Sequence, residues 1–389
     1  MRYDVFVTVW GQDFVTKYLE FSLASQLMPG NLPALAAEAD IHYHIYTDRA
    51  SRDYFGSSIK KLAEFAEVHF HNYDEIAYGG GNLQQAIENS DPSTVKHNVQ
   101  RITAQHMLSA LEKGAAAILL DSDFIIADGS LARLHDLRLA GKRAVMALFM
   151  RLNEATAAPI LRQDLSAHMA PRDLVRLSLD HMHPIFGAYF MGGASSTHYP
   201  SQLNWRVEQF GEGAPETAGV ISQCLFPHPL MVIPDKTASE SGSKYFSTMD
   251  YDFALRAVSD DAAIHLSRSS DEILICKISP ESYLADGEQG EPLSIERMAH
   301  FVLNNTNIRH RLFLDQSICF VANEGGNWDD VNQDAQRFME ATYKAVELMV
   351  GQLPKGDPKT MVHLKSFLGP IEDFLSPQVQ SKIKGWLPK

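Results

Sequence analysis

The chain has 389 residues, 45% hydrophobic and 21% charged, with 34 Lys and Arg against 48 Asp and Glu, a formal charge of −14. A chain of this size buries enough surface to fold without disulfides or a structural metal, and at roughly 150 residues per domain it has room for two or three domains. The acidic balance and the lack of a basic run exclude a nucleic-acid binder, and the dispersed Cys224, Cys276 and Cys319 exclude a disulfide framework.

Over residues 1–150, short apolar runs alternate with segments of helical period, the pattern of a parallel sheet with helical crossovers. Residues 3–9 read as a first strand, 14–26 as a helix ended by Pro29-Gly30, and 41–47 as a second strand leading into Asp48. A helix over 51–66 and a third strand over 68–70 follow, and Gly79, Gly80 and Gly81 mark an irregular loop. Between Asp91 and Gly114, end signals and the apolar series Val95, Val99, Ile102, Leu108, Leu111 predict a long helix. Residues 115–120 are all apolar, as a central parallel strand should be, and the run stops at Asp121-Ser122-Asp123.

Beyond residue 151 the rhythm weakens into a second unit woven into the first. It has a helix over 171–181, a Gly-rich stretch over 186–196, a polar loop over 237–244 and an acidic connector over 283–292. From residue 295 most of the chain reads as helical. The initial apolar run is too short for a signal peptide, and no stretch of about 18 residues is apolar enough to span a bilayer. The expected location is cytoplasmic, or peripheral at the inner face of a membrane. The second option rests on residues 374–389, where Leu375, Val379 and Ile383 share a helical face with Lys382, Lys384 and Lys389 around Trp386.

The chemistry centres on Asp121 and Asp123. Ligands of open α/β sheets bind beyond the carboxyl ends of the strands, and two carboxylates at i and i+2 leaving such a strand can share Mg²⁺ or Mn²⁺. The same pair would also suit a solvated turn, and Asp250-Tyr251-Asp252 repeats the pattern at a helix start, where acidic residues are favoured by the helix dipole alone. Three His-x-His pairs, His42 with His44, His69 with His71, and His181 with His183, each place two imidazoles on one side of an extended segment. No third ligand stands at a diagnostic spacing, so they read as structural histidines.

The strand KGAAAILLDSDFII, preceded by the helix TVKHNVQRITAQHMLSALEKG, resembles the donor-site strand and DxD motif of nucleotide-sugar-dependent glycosyltransferases of GT-A fold. The resemblance covers about the first 150 residues. It implies an α/β, GT-A-like fold: a Rossmann-type, mostly parallel sheet with helices on both faces, plus a mainly helical C-terminal part. The division expected is a nucleotide-sugar half over 1–150, an acceptor-side half over 151–290, and a helical region over 291–389. By the same resemblance Asp123 is the principal ligand of a divalent cation, Mn²⁺ or Mg²⁺, and Asp121 lies near the ribose or metal. Thr8, Trp10 and Asp48 approach the base and ribose, and Arg101 lies near the donor.

Downstream, MDYDFALR is similar to a segment of inverting members in which a Glu stands where this chain has Met249. That likeness makes Asp250 the catalytic base toward the acceptor hydroxyl. The implied partners are a nucleotide-sugar donor, with UDP-sugars favoured, and a carbohydrate or glycolipid acceptor. His300 and His310 stand in the region where some relatives place a further histidine ligand, without a motif to choose between them. Two other readings stay open. One is a sugar-phosphate nucleotidyltransferase, although Val9-Trp10-Gly11-Gln12-Asp13 is neither Gly-rich nor basic as its phosphate loop should be. The other is a binding protein that keeps the fold without turnover. Residues 186–193, rich in Gly and aromatics, suit either sugar stacking or a buried strand.

Overall fold

The computed structural model describes residues 1–72, 106–108, 111, 114–193, 197, 199–209, 216–236, 253–284 and 292–352. The chain divides into two units, Met1–His183 with Pro227–Glu281, and Pro184–Phe226 with Ser282–Lys389.

In the first unit, the apolar runs of the N-terminal third form β1 (Arg2–Thr8), β2 (Asp40–Thr47), β3 (Glu67–Asn72) and β4 (Ala116–Asp121). β5 (Phe124–Ile126), β6 (Ala144–Ala147) and β7 (Phe149–Asn153) follow. The second unit contributes β8 (Gln202–Gln209) and β9 (Glu216–Cys224) before the chain returns as β10 (His228–Val232), β11 (Ile264–Leu266) and β12 (Ile275–Ser279). The main sheet has the order β11-β6-β10-β4-β1-β2-β3, parallel throughout except for β10, which runs against both neighbours. A smaller sheet, β5-β12-β7, stands beside it in the same unit.

The residue alternation explains how the main sheet packs. Tyr3, Val5 and Val7 of β1, Ile41, Tyr43 and Ile45 of β2, and Ile118 and Leu120 of β4 share one core with Leu32, Leu35, Leu131 and Leu134 of the surrounding helices. The helix expected over 14–26 is present as Gln12–Lys17, a π segment Tyr18–Leu23, and Ala24–Gln26. It is tied to β2 through buried hydroxyls: Tyr18 donates to Tyr43 at 2.9 Å, and Tyr43 donates to Gln26 Oε1 at 2.7 Å. The helix expected over 51–66 is broken into Arg52–Phe55 and Ser58–Leu62, because Gly56 between them sits at φ +51.

The opposite side of β1, β2 and β3 is polar. Asp4 Oδ1 lies 3.0 Å from His44 Nε2, and His44 Nδ1 lies 2.9 Å from His71 Nε2. His71 stacks on Tyr46, whose hydroxyl lies 2.7 Å from His106 Nδ1. Burial first, then the neighbouring imidazoles of His44, His106 and His69, push His71 down to about 4. Desolvation likewise lowers His69 and His106. Because the fold favours the neutral imidazole, this stability is fully present above the unfolded value near 6.5 and is lost as pH falls toward about 4. Urea midpoints measured between pH 7.5 and 4.5 should fall across that window, and His71→Gln should flatten the fall; a flat wild-type profile would refute the assignment.

In the second unit β13 (Ile318–Val321) completes an antiparallel sheet of order β13-β9-β8. The helices Ile295–Asn305 and Trp328–Gln352 cover it through Met298, Val302, Met339, Val346 and Val350. Gly219 of β9 lets two elements approach: a Cβ there would strike the Phe320 carbonyl oxygen and come within 2.5 Å of the Trp328 ring. Gly219→Ala is therefore expected to cost about 2 kcal/mol or more, read as a lowered denaturant midpoint, with little change for Gly114→Ala beyond the strain of its φ of +84. Residues 186–193 do not form the strand weighed from the sequence. Pro184–Gly187 is one helical turn, and Phe186 and Phe190 are buried edge to face, Phe186 also against Phe320.

The fold class expected from the sequence is present: α/β, with a mostly parallel central sheet, helices packed on it, and, among the described residues, a C-terminal part that is mainly helical with β13 as its strand. Among the described residues no helix is long and apolar enough to cross a membrane. The loop at Gly79–Gly81, the segment 237–244, most of the helix expected after Asp91, and the basic helix over 374–389 lie outside the described residues.

Candidate active site

β4 is apolar and buried up to its last residue, Asp121. The chain turns at Ser122-Asp123 and leaves the main sheet for β5, with the Asp123 carbonyl accepting from Ile278 N at 3.0 Å. The turn thus delivers both carboxylates beside β12. There Lys277 pairs with Phe124 of β5 on one side and with Arg151 of β7 on the other.

Lys277 Nζ donates to Asp121 Oδ2 at 2.6 Å and lies 3.4 Å from Asp123 Oδ1. Both oxygens therefore converge on one cation-sized position. The Lys277 ammonium also lies over the Phe124 and Phe149 rings, 5.4 and 5.7 Å from their centroids. Arg151 lies over Phe149 and donates to Ser279 Oγ at 2.6 Å. On β10, His228 Nε2 donates to the Leu119 carbonyl at 2.8 Å and its ring meets Phe124 edge-on, which sets a third nitrogen-bearing side chain near Asp121.

These neighbours separate the two carboxyls. Desolvation raises Asp121, but the fields of Lys277, His228 and Arg151 outweigh it and hold the group at about 2. Its side chain keeps 49% exposure, which favours the ionised form further. Asp123 moves the other way: desolvation lifts it and the Asp121 charge adds to the rise, against Lys277 and Arg151. Lys277 is raised, because its two carboxylate partners overcome the desolvation that lowers it. Two carboxyl groups and two cationic side chains, Asp121 and Asp123 with Lys277 and Arg151, thus share the site. The cluster therefore offers groups for a cation and for an anion side by side.

Four of the residues singled out from the sequence stand at the carboxyl ends of neighbouring parallel strands. Thr8 is in register with Asp121 of β4 and Tyr46 of β2, and Trp10 follows two residues later. Asp48 follows β2, and its Oδ1 accepts from Ser51 N at 2.8 Å. Ser51 Oγ in turn accepts from Gly11 N at 2.8 Å, so the segments after β1 and β2 are tied together. Arg101 and Asp250 lie outside the described residues, and Asp250 precedes the helix Phe253–Ala257 by three positions. Of the two C-terminal histidines, His310 is buried beside Phe226 and Phe313 and His300 is exposed.

Sequence reasoning missed Lys277, Arg151 and His228. Each of the first two is a lone cation in an otherwise apolar stretch, Ile273 to Ile278 and Ala147 to Leu152. A charge inside a strand that is otherwise buried calls for a partner, and that was the available signal.

No family model matches the chain, and no curated protein matches it. Among solved structures, mouse xyloside xylosyltransferase 1 in its apo form aligns at 14% identity and TM-score 0.28, over 43% of this chain and 61% of that one. S. aureus TarS 1-349 aligns at 14% identity and TM-score 0.33, over 99% of this chain and 92% of that one. S. aureus TarS aligns at 11% identity and TM-score 0.29, over 98% of this chain and 50% of that one. The chain thus spans about three-fifths of the xylosyltransferase chain.

Proposed function

We propose that the protein is a glycosyltransferase with a GT-A-like donor half, moving a sugar from a nucleotide-sugar to a carbohydrate or glycolipid acceptor. The observation that carries this reading is the convergence of Asp121 and Asp123 on one cation position just past the central parallel strand. Thr8, Trp10 and Asp48 at the adjoining strand ends support a base and ribose site there, with a UDP-sugar as the favoured donor. Arg101 is the further donor contact that the sequence resemblance suggests.

The residues fit a divalent cation, Mn²⁺ or Mg²⁺, because the Lys277 ammonium already occupies a point that both carboxylates reach. Asp121 and Asp123 would hold the ion, and when bound it neutralises charge on the departing nucleoside diphosphate. The remaining work falls to the chain. Lys277 and Arg151 supply two positive charges beside the carboxylates, and the diphosphate is the ligand part that needs them. Asp121, held down at about 2, stays ionised through the physiological range. The acceptor hydroxyl needs a base to take its proton as its oxygen attacks the anomeric carbon, and we assign that role to Asp250, which implies inversion. A cytoplasmic site of action, or one peripheral to the inner face of a membrane, goes with this reading.

Thermal unfolding with UDP, GDP, CMP and ATP, each with and without Mn²⁺, tests it, because a ligand of the native state raises the midpoint. A Mn²⁺-dependent rise with one nucleoside diphosphate is expected. A rise with triphosphate alone would favour the nucleotidyltransferase. Nucleotide binding without any donor hydrolysis or transfer would favour the binding protein.

A further inference from the structure

The histidine pairs do not act alone, because the parallel register of β2 and β3 brings them together. His42 pairs with Glu67 and His44 with His69, so Asp40, His42, Glu67 and His69 gather at the amino ends of the two strands. This is the end of the sheet opposite to Asp121, which closes β4 at its carboxyl end.

His42 Nδ1 lies 3.1 Å from His69 Nε2. Glu67 Oε2 is 3.7 Å from His42 Nδ1, and Glu67 Oε1 is 3.6 Å from His69 Nε2. Zinc bound at about 2.0–2.1 Å to tetrahedral ligands holds its donor atoms about 3.3–3.4 Å apart. The carboxylate faces the two imidazoles with a different oxygen each, and one donor atom from each of the three residues lies within 4.8 Å of the other two, so a small rotation of the exposed Glu67 side chain brings the set to zinc spacing. The second observation is the outer partner: His42 Nε2 is 3.2 Å from Asp40 Oδ2. A carboxylate there fixes the tautomer with its proton on Nε2 and leaves the Nδ1 lone pair facing the cluster, the arrangement found behind metal-bound imidazoles.

We propose that His42, Glu67 and His69 form a zinc site, with Asp40 as the residue that orients His42 and a fourth coordination position filled by solvent. Without zinc the two imidazole rings are coplanar, at 2° and 5.4 Å between centroids, with a hydrogen bond running from one nitrogen to the other. Binding replaces that bond. His69 moves its proton from Nε2 to Nδ1 and both rings swing slightly so that their lone pairs meet at the ion. No proton is lost if both rings start neutral. The ion then cross-links β2 to β3, the last strand of the main sheet among the described residues.

The test is zinc titration of the whole protein, followed by thermal unfolding and by the visible spectrum of the Co²⁺ form. One zinc per chain, a raised midpoint and a tetrahedral Co²⁺ spectrum are expected. His69→Ala should abolish all three. Glu67→Gln, at an exposed side chain whose loss leaves the fold intact, should weaken zinc binding by about tenfold or more. Asp123→Ala should leave zinc binding unchanged, which separates this site from the carboxylate pair. Zinc binding weaker than micromolar, or retained in both His69→Ala and Glu67→Gln, or lost in Asp123→Ala, would overturn the proposal.

Discussion

Replacing Asp123 with alanine is expected to lower turnover of the nucleotide-sugar by about 100-fold or more and to abolish the Mn²⁺-dependent midpoint rise. The fold should survive the change. The structural bond at this position uses the Asp123 backbone carbonyl, accepting from Ile278 N, and any side chain keeps it. Lys277 retains its shorter contact, 2.6 Å to Asp121, so no buried ammonium is stranded. Removing the Asp123 carboxyl also ends its desolvation and its repulsion with Asp121, the two causes that raise it. The unfolding midpoint without ligand should therefore stay close to wild type, while Mn²⁺ affinity measured by electron paramagnetic resonance drops. Full metal-dependent turnover in this variant would remove Asp123 from the site.

Lys277→Met should have opposite effects on the two ligands. The methionine keeps the apolar stem against Phe124 and Phe149, so the main loss is the charge. Two carboxylates then face one position without a resident cation. Mn²⁺ no longer has to displace an ammonium and should bind about tenfold more tightly, because one lost competing ion pair in a partly exposed site is worth on the order of 1 kcal/mol. The diphosphate loses one of its two cations, and donor affinity or turnover should fall by about tenfold or more. Asp121, held at about 2 chiefly by Lys277 against desolvation, should titrate higher. Titration calorimetry with Mn²⁺ and with the nucleoside diphosphate separates the two effects. Unchanged or weaker Mn²⁺ binding would mean that Lys277 does not compete for the cation position.

The parallel core was legible because burial on both faces leaves a strand no polar residue to carry, as in the all-apolar run that became β4. β1 and β2 were legible for the same reason on one face. Strands of the smaller sheets were not: β5 has three residues, and β7 and β12 carry Arg151 and Lys277 inside apolar stretches, which masks any simple period. The carboxylate pair could be read from its place after β4, but its partner Lys277 is 156 residues away from Asp121 and only sheet pairing brings it close. The same limit applied to the histidines. Spacing within one strand showed two imidazoles at a time, whereas Glu67 and His69 stand two apart on β3 and the third ligand, His42, comes from β2 through a register that no local pattern encodes. The break at Gly56 was visible as a glycine in the sequence, yet a positive φ there depends on tertiary fit.

The two-sided character of β2 also bears on how the chain finds its alignment. Ile41, Tyr43 and Ile45 enter the core while Asp40, His42, His44 and Tyr46 face the other way. A slip of one residue against β1 would exchange the two sets. It would put imidazoles and a carboxylate among Tyr3, Val5 and Ile118 and would set large apolar side chains on the face of the buried Asp4. The histidine face therefore works as a proofreading element during assembly: any pairing of β2 displaced by an odd number of residues is penalised on both sides of the sheet.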